Sequence, residues 1–183
     1  NLIQFKEYIE KVKSGEETIN AKTLYPYDIM EAGNLDSNWR GRTYDLDRWD
    51  EVLEEQWKAL PNYVEGENDI LIMADTSGSM SGRPVCTSIG LAIYFAERNR
   101  GPWHNKFLTF ASKPSFVNLL GSNLKEKVAC IPNIVDNTNI EAAFNLVLET
   151  AINNKLSQAD MPKAIVIISD MEFDQAEGDY YYD

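Results

Sequence analysis

The chain has 183 residues, enough for one domain, or one domain with an N-terminal extension. Hydrophobic residues make up 44% and charged residues 25%, ordinary for a globular chain that can bury a core. A formal net charge of −12 argues against a polyanion-binding surface of its own, because phosphate recognition rests on clustered Lys and Arg.

No apolar run approaches the ~18 residues that a membrane span requires. The N-terminus, "NLIQFKEYIEKVKSGEE", lacks a signal peptide's apolar block and begins without Met, as a trimmed or excised chain would. The expected location is therefore cytoplasmic. Residues 1–13 set Leu2, Phe5, Ile9 and Val12 at roughly helical spacing. In "INAKTLYPYDIM", Pro26 favours an extended Tyr25. A polar connection over 33–44 leads to a helix from about Asp47 to Leu60, with Trp49, Leu53, Trp57 and Leu60 on one face and Pro61 as the stop. Residues 1–66 thus read as a helical N-terminal extension.

From residue 67 the character changes. "DILIMAD" is a continuous apolar run, as expected for a strand of a parallel sheet buried on both faces. A Ser/Gly loop follows, then Pro84 in the first turn of a helix carrying Val85, Ile89, Ile93 and Ala96. "KFLTFA" and "SFVNLL", joined by "SKP", predict an antiparallel pair, and "LKEKVACI" a short helix. Residues 139–153 carry Ile140, Ala143, Phe144, Val147, Leu148, Ala151 and Ile152 at i, i+3, i+4, i+7, i+8, i+11 and i+12, a helical stripe. "KAIVIISD" is a second buried strand. The order β-α-β-β-α-α-β predicts an α/β, Rossmann-like three-layer αβα sandwich, with a mostly parallel central sheet and one antiparallel edge strand.

Both apolar strands terminate in aspartate, at Asp75 and Asp170. In open α/β sheets the ligand crevice lies at the carboxyl ends of the strands, where the connection direction reverses. Along an extended segment Asp75, Ser77 and Ser79 project to one side, with Gly78 between them to ease a bend. Hydroxyls with one or two carboxylates form a partial oxygen shell suited to a hard cation such as Mg²⁺. Softer metals would ask for Cys or His. The chain has only Cys86 and Cys130, both expected as small core residues, and a single histidine, His104, expected at the surface or an edge.

"DTSGSM" resembles the D-x-S-x-S motif of the von Willebrand factor A (vWA) domain, whose metal-ion-dependent adhesion site (MIDAS) adds a threonine before an amphipathic helix and an aspartate ending a later strand. "NTNIEAAFNLVL" supplies Thr138 and "VIISDMEFD" supplies Asp170, in family order. The resemblance covers roughly residues 68–175. Within it, "MADTSGSMSGRP", "NKFLTFASKP" and "SDMEFDQA" look closest to intracellular A domains of TROVE (Ro ribonucleoprotein) type. They are also similar to a related uncharacterised bacterial, plant and viral family in which "YPYDIM"-like segments precede the A domain. There are two departures. Asn137 stands where the family has glycine, and the family's two further strands after Asp170 would not fit in the remaining thirteen residues. Residues 67–183 are thus expected to be a vWA-like domain lacking its last strands.

The resemblance implies a non-enzymatic module that binds Mg²⁺, or Mn²⁺ or Ca²⁺, through Asp75, Ser77, Ser79, Thr138 and Asp170. Through that metal it would dock a protein partner's acidic side chain, with RNA reached only through another domain or partner. Two alternatives come from other classes. A haloacid-dehalogenase-type phosphohydrolase would use Asp75 as nucleophile with Asp170 and Asp174 on magnesium, but it needs a second Asp where Ser77 stands, and a hydroxyl cannot serve as that general acid. A metal-free scaffold would keep the fold alone. A serine hydrolase would need a base beside its nucleophile, and Met80 occupies the nucleophile position of "GSMSG". Glu172 and Asp174 read as loop carboxylates, Trp39, Trp49, Trp57 and Trp103 as packing residues, and "EGDYYYD" as a frayed end.

Overall fold

The computed structural model describes residues 2–21, 23–35, 46–64, 69–132 and 139–170. Among these, four strands form one sheet in the order β3-β2-β1-β4: β1 Ile70–Ala74, β2 Lys106–Thr109, β3 Phe116–Asn118 and β4 Ala164–Ile168. β1 runs parallel to β2 and to β4, and β3 is antiparallel to β2 at the edge. Helices α1 (Leu2–Ser14), α2 (Pro26–Ala32), α3 (Glu51–Lys58), α4 (Arg83–Arg98), α5 (Leu124–Ala129) and α6 (Ile140–Asn153) complete the fold. The chain is a three-layer α/β sandwich with a mostly parallel sheet and one antiparallel edge strand, as the element order predicts.

Local chemistry sets the helix boundaries. Asp50 caps α3 by accepting from Val52 N and Leu53 N, so this helix starts at Glu51, after a 3₁₀ turn at Leu46–Arg48, and not near Asp47. Asn123 and Asn139 cap α5 and α6 in the same way. Tyr25 is extended ahead of Pro26, which opens α2.

Alternation along β1 and β2 divides the core between the two faces of the sheet. On one face Ile72, Ala74 and Phe107 pack with Val85, Ile89 and Ile93 of α4, with Ile29 and Met30 of α2, Leu53 and Trp57 of α3, and Trp49 just before α3. On the other, Leu71, Met73 and Leu108 pack with Trp103 and with Ala143 and Val147 of α6. Helices α2 and α3 therefore share one core with the sheet. Their seam with α4 is close: Gly90 lies where a Cβ would come within 3.0 Å of the Pro26 backbone. Arg83, at the start of α4, donates to both carboxylate oxygens of Glu31, at 2.7 and 3.2 Å, and lies over the Tyr27 ring. At the far end Trp57 Nε1 donates to Glu97, and Tyr94 Oη donates to the Pro61 carbonyl.

Two apolar segments are less covered than their patterns predict. β4 reads as a strand buried on both faces, yet its residues are exposed or half-buried, because it is the sheet edge among the described residues. On α6 only Ala143, Val147 and Ala151 are buried, while Phe144, Leu148 and Ile152 face outward. Neither cysteine is in a disulfide; Cys86 is buried and Cys130 half-buried. No helix among the described residues is long and apolar enough to cross a membrane.

The α2–α4 seam yields a direct test. A Gly90→Val substitution places branched carbons against the Pro26 backbone and Met30, which cannot both withdraw, and overpacking of this kind costs about 1–3 kcal/mol. The expected outcome in urea unfolding is a lower midpoint with the slope unchanged; an unaltered midpoint would mean that α2 does not seat on α4.

Candidate metal centre

The strand order creates a switch point. From β1 the chain crosses over through α4 to β2 on one side, and the chain leaving β3 returns past β1 through α6 to β4 on the other. The helices of the two crossovers cover opposite faces, so the carboxyl ends of β1 and β4 meet at a topological switch point, the position at which open α/β sheets hold ligands. Asp75 follows β1 directly and Asp170 lies two residues beyond β4.

Asp75 is 2% exposed, and its carboxylate is held at both oxygens. Oδ1 accepts from Ser77 N at 2.8 Å, closing a local turn, and Oδ2 accepts from Ser169 Oγ, also at 2.8 Å. Each oxygen has two lone pairs, so each retains capacity for a further partner. The Asp75 backbone N donates to the Ile168 carbonyl, which extends the β1–β4 ladder past its last register pair, Ala74 with Ile168.

Beyond Asp75 the chain makes a short 3₁₀ turn at Gly78–Met80. Met80 is buried against the α4 face of the core and anchors this loop, leaving Ser77 half-buried and Ser79 exposed. Ser77 Oγ and Ser79 Oγ lie 2.9 Å apart and hydrogen-bond each other. The glycine that this loop requires is not the one its pattern suggests. Gly78 is in ordinary backbone geometry with open space where a Cβ would stand, whereas Gly82, before α4, has φ +89°. That left-handed residue turns the chain from the serine loop into the helix.

The donor set is one carboxylate and two hydroxyls, with Asp170 exposed at the end of the adjacent strand. All are hard oxygen donors, which suit Mg²⁺, Mn²⁺ or Ca²⁺ and not a thiophilic metal. The 2.9 Å hydroxyl separation also fits: adjacent ligands of an octahedral Mg²⁺ with bonds of about 2.1 Å lie about 3 Å apart. No cluster of three or more His, Cys, Asp or Glu side chains suited to a metal occurs among the described residues, so any cation here would rely on hydroxyls. Thr138 lies outside the described residues, as do Trp39, Glu172, Asp174 and the tyrosine-rich end. Its neighbour Asn139 donates its backbone N–H to the Ala111 carbonyl. Ala111 directly follows Phe110, whose own N–H donates to Ala74, so the start of α6 stands at the same edge of the sheet as Asp75.

Ser169 is the contributor that sequence reasoning missed. Aligning the two strand-end aspartates pairs Asp75 with Asp170, but the register brings Asp75 level with the preceding residue. The available signal was a hydroxyl residue just before the second aspartate. His104 is exposed, with Nδ1 on the Asn99 carbonyl, and Trp49, Trp57 and Trp103 are buried packing residues.

Comparison with known proteins gives two matches. Uncharacterized protein L728 of Acanthamoeba polyphaga mimivirus is 33% identical over 178 residues, which cover 94% of this chain and 29% of that protein. The chain thus spans less than a third of that relative's length. No solved structure matches the chain. The family described as "Domain of unknown function (DUF7788)" matches residues 69–182, from the residue before β1 through both strand-end aspartates. The chain belongs to the DUF7788 family.

Proposed function

We propose that this domain is a divalent-cation-dependent protein-binding module, with the cation seated at the carboxyl ends of β1 and β4. The supporting observation is the buried Asp75 carboxylate, held by the Ser77 backbone N–H, in the same loop as the paired Ser77 and Ser79 hydroxyls at the switch point. Asp75, Ser77, Ser79 and Asp170 would hold the ion, together with Thr138 by its resemblance to the MIDAS threonine. When bound, the cation supplies a Lewis-acidic coordination position for an oxygen ligand from outside.

The composition of the seat favours an acidic partner. Two carboxylates and neutral hydroxyls give the seat no excess negative charge, so a divalent ion held there can still accept a carboxylate from another protein. Through the cation an acidic side chain can approach a domain whose net charge of −12 would otherwise repel it. The same acidity speaks against direct contact with RNA, so a ribonucleoprotein role would be exercised through a partner. The vWA and TROVE-like motif, and two cysteines that form no disulfide, support a place in an intracellular, cytoplasmic complex.

Ser77 stands where a phosphohydrolase of the dehalogenase type would carry its second aspartate, which speaks against that mechanism. With aryl phosphates and Mg²⁺, wild type is expected to release no phosphate above the buffer rate. Hydrolysis that disappears in Asp75→Asn would replace the binding-module reading with an enzymatic one. A ligand that binds only the native state raises its stability, by about 2.7 kcal/mol at a hundred times its Kd. For a chain of this size that is a rise in Tm of roughly 5–10 °C. Millimolar Mn²⁺ or Mg²⁺ should produce this rise in wild type and none in Ser77→Ala; an unchanged wild-type Tm would point to a metal-free scaffold.

A further inference from the structure

We infer that Ser169 is a positioning residue for the cation seat, fixing the rotation of the Asp75 carboxylate through its hydroxyl. The inference rests on the metal-binding reading of Asp75, Ser77 and Ser79. Its geometric basis is the pair of hydrogen bonds on the carboxylate. Ser77 N holds Oδ1 at 2.8 Å from within the loop, and Ser169 Oγ holds Oδ2 at 2.8 Å from the other strand, 94 residues away.

A terminal carboxylate torsion is broad and easily turned. One hydrogen bond leaves the second oxygen free to swing, whereas donors on both oxygens define the carboxylate plane. Asp75 is almost wholly buried, so water is poorly placed to replace a missing donor. Ser169 is itself held in place, because β1 and β4 pair over five consecutive residues and the Asp75 N–H bonds the Ile168 carbonyl beside it. The donor is neutral, so it orients the anion without bringing a competing charge near the cation. Groups that orient a metal's ligands in this way typically contribute 10–100-fold to affinity.

The test uses Mn²⁺ as probe, with free Mn²⁺ titrated by electron paramagnetic resonance against wild type, Ser169→Ala, Ser169→Thr and Ser77→Ala, and with metal-free Tm measured for each. Expected are Mn²⁺ binding weakened about tenfold in Ser169→Ala, near-wild-type binding in Ser169→Thr, and binding lost in Ser77→Ala, with a cooperative metal-free melting transition in each and a metal-free Tm lowered by several degrees in Ser169→Ala, where a buried carboxylate loses a donor. Affinity unchanged in Ser169→Ala while Ser77→Ala loses the ion would overturn the role of Ser169 and leave the metal site standing. A Ser169→Thr variant as weak as Ser169→Ala would also overturn it, since the hydroxyl would then not be what matters. Absence of Mn²⁺ binding in wild type would overturn both. If Ser169→Ala does not fold, Ser169→Cys, of similar shape but a poor donor, carries the test: it must bind more weakly than wild type, and equal affinity overturns the inference.

Discussion

Five consecutive residue pairs, from Ile70 beside Ala164 to Ala74 beside Ile168, hold β1 and β4 parallel and in one register. Every feature of the candidate site depends on this pairing. Side chains alternate with a period of two, so a slip of one residue would turn Ser169 away from Asp75 and offer a different neighbour to the carboxylate. The register is specified by the β1 side chains, which are divided between two cores: Ile72 and Ala74 toward α4, Leu71 and Met73 toward α6. β4 matches this division, with Ile165 and Ile167 toward α6 and Ile168 toward α4, and the match determines which residue of β4 meets Asp75.

The other half of the seat is held by the helical layers. The serine loop is short and polar, and its fixed points are Met80 in the core, Gly82 at its left-handed turn, and the start of α4. That start is tied to α2 by the Arg83–Glu31 pair, and α4 is pressed against α2 at Gly90. An exposed ion pair contributes little energy by itself. The buried seam of Ile29, Met30, Val85, Ile89 and Ile93 supplies the larger share of the stability through the area it removes from water. Helices α2 and α3 are in this sense structural support for the loop that carries Ser77 and Ser79.

The elements that bury a full apolar face were legible in the sequence. β1, α4 and the β2–β3 hairpin follow from a continuous apolar run, a helical stripe and a tight turn, each reinforced by tertiary packing. The extent of coverage was not legible. "AIVII" reads as a strand covered on both sides, and the stripe on α6 is wider than the face it buries; pattern measures hydrophobicity, and burial depends on what lies opposite. The start of α3 was misplaced because Asp47 and Asp50 are equally plausible caps by composition, and only Asp50 reaches the N–H groups of Val52 and Leu53. Within the site, Asp75, Ser77 and Ser79 were legible because they are adjacent in one loop. Ser169 was not, because its role comes from a cross-strand register between segments 94 residues apart.

The central claim is that the carboxyl ends of β1 and β4 form a cation seat built on serine hydroxyls. Anomalous diffraction from crystals grown with Mn²⁺ tests it most directly, since the scattering locates the ion without assuming its ligands. The account predicts an anomalous peak in contact with Ser77 Oγ and Ser79 Oγ, beside the Asp75 carboxylate. A chain saturated with Mn²⁺ whose peak lies elsewhere, or that shows no peak at this crevice, would contradict it.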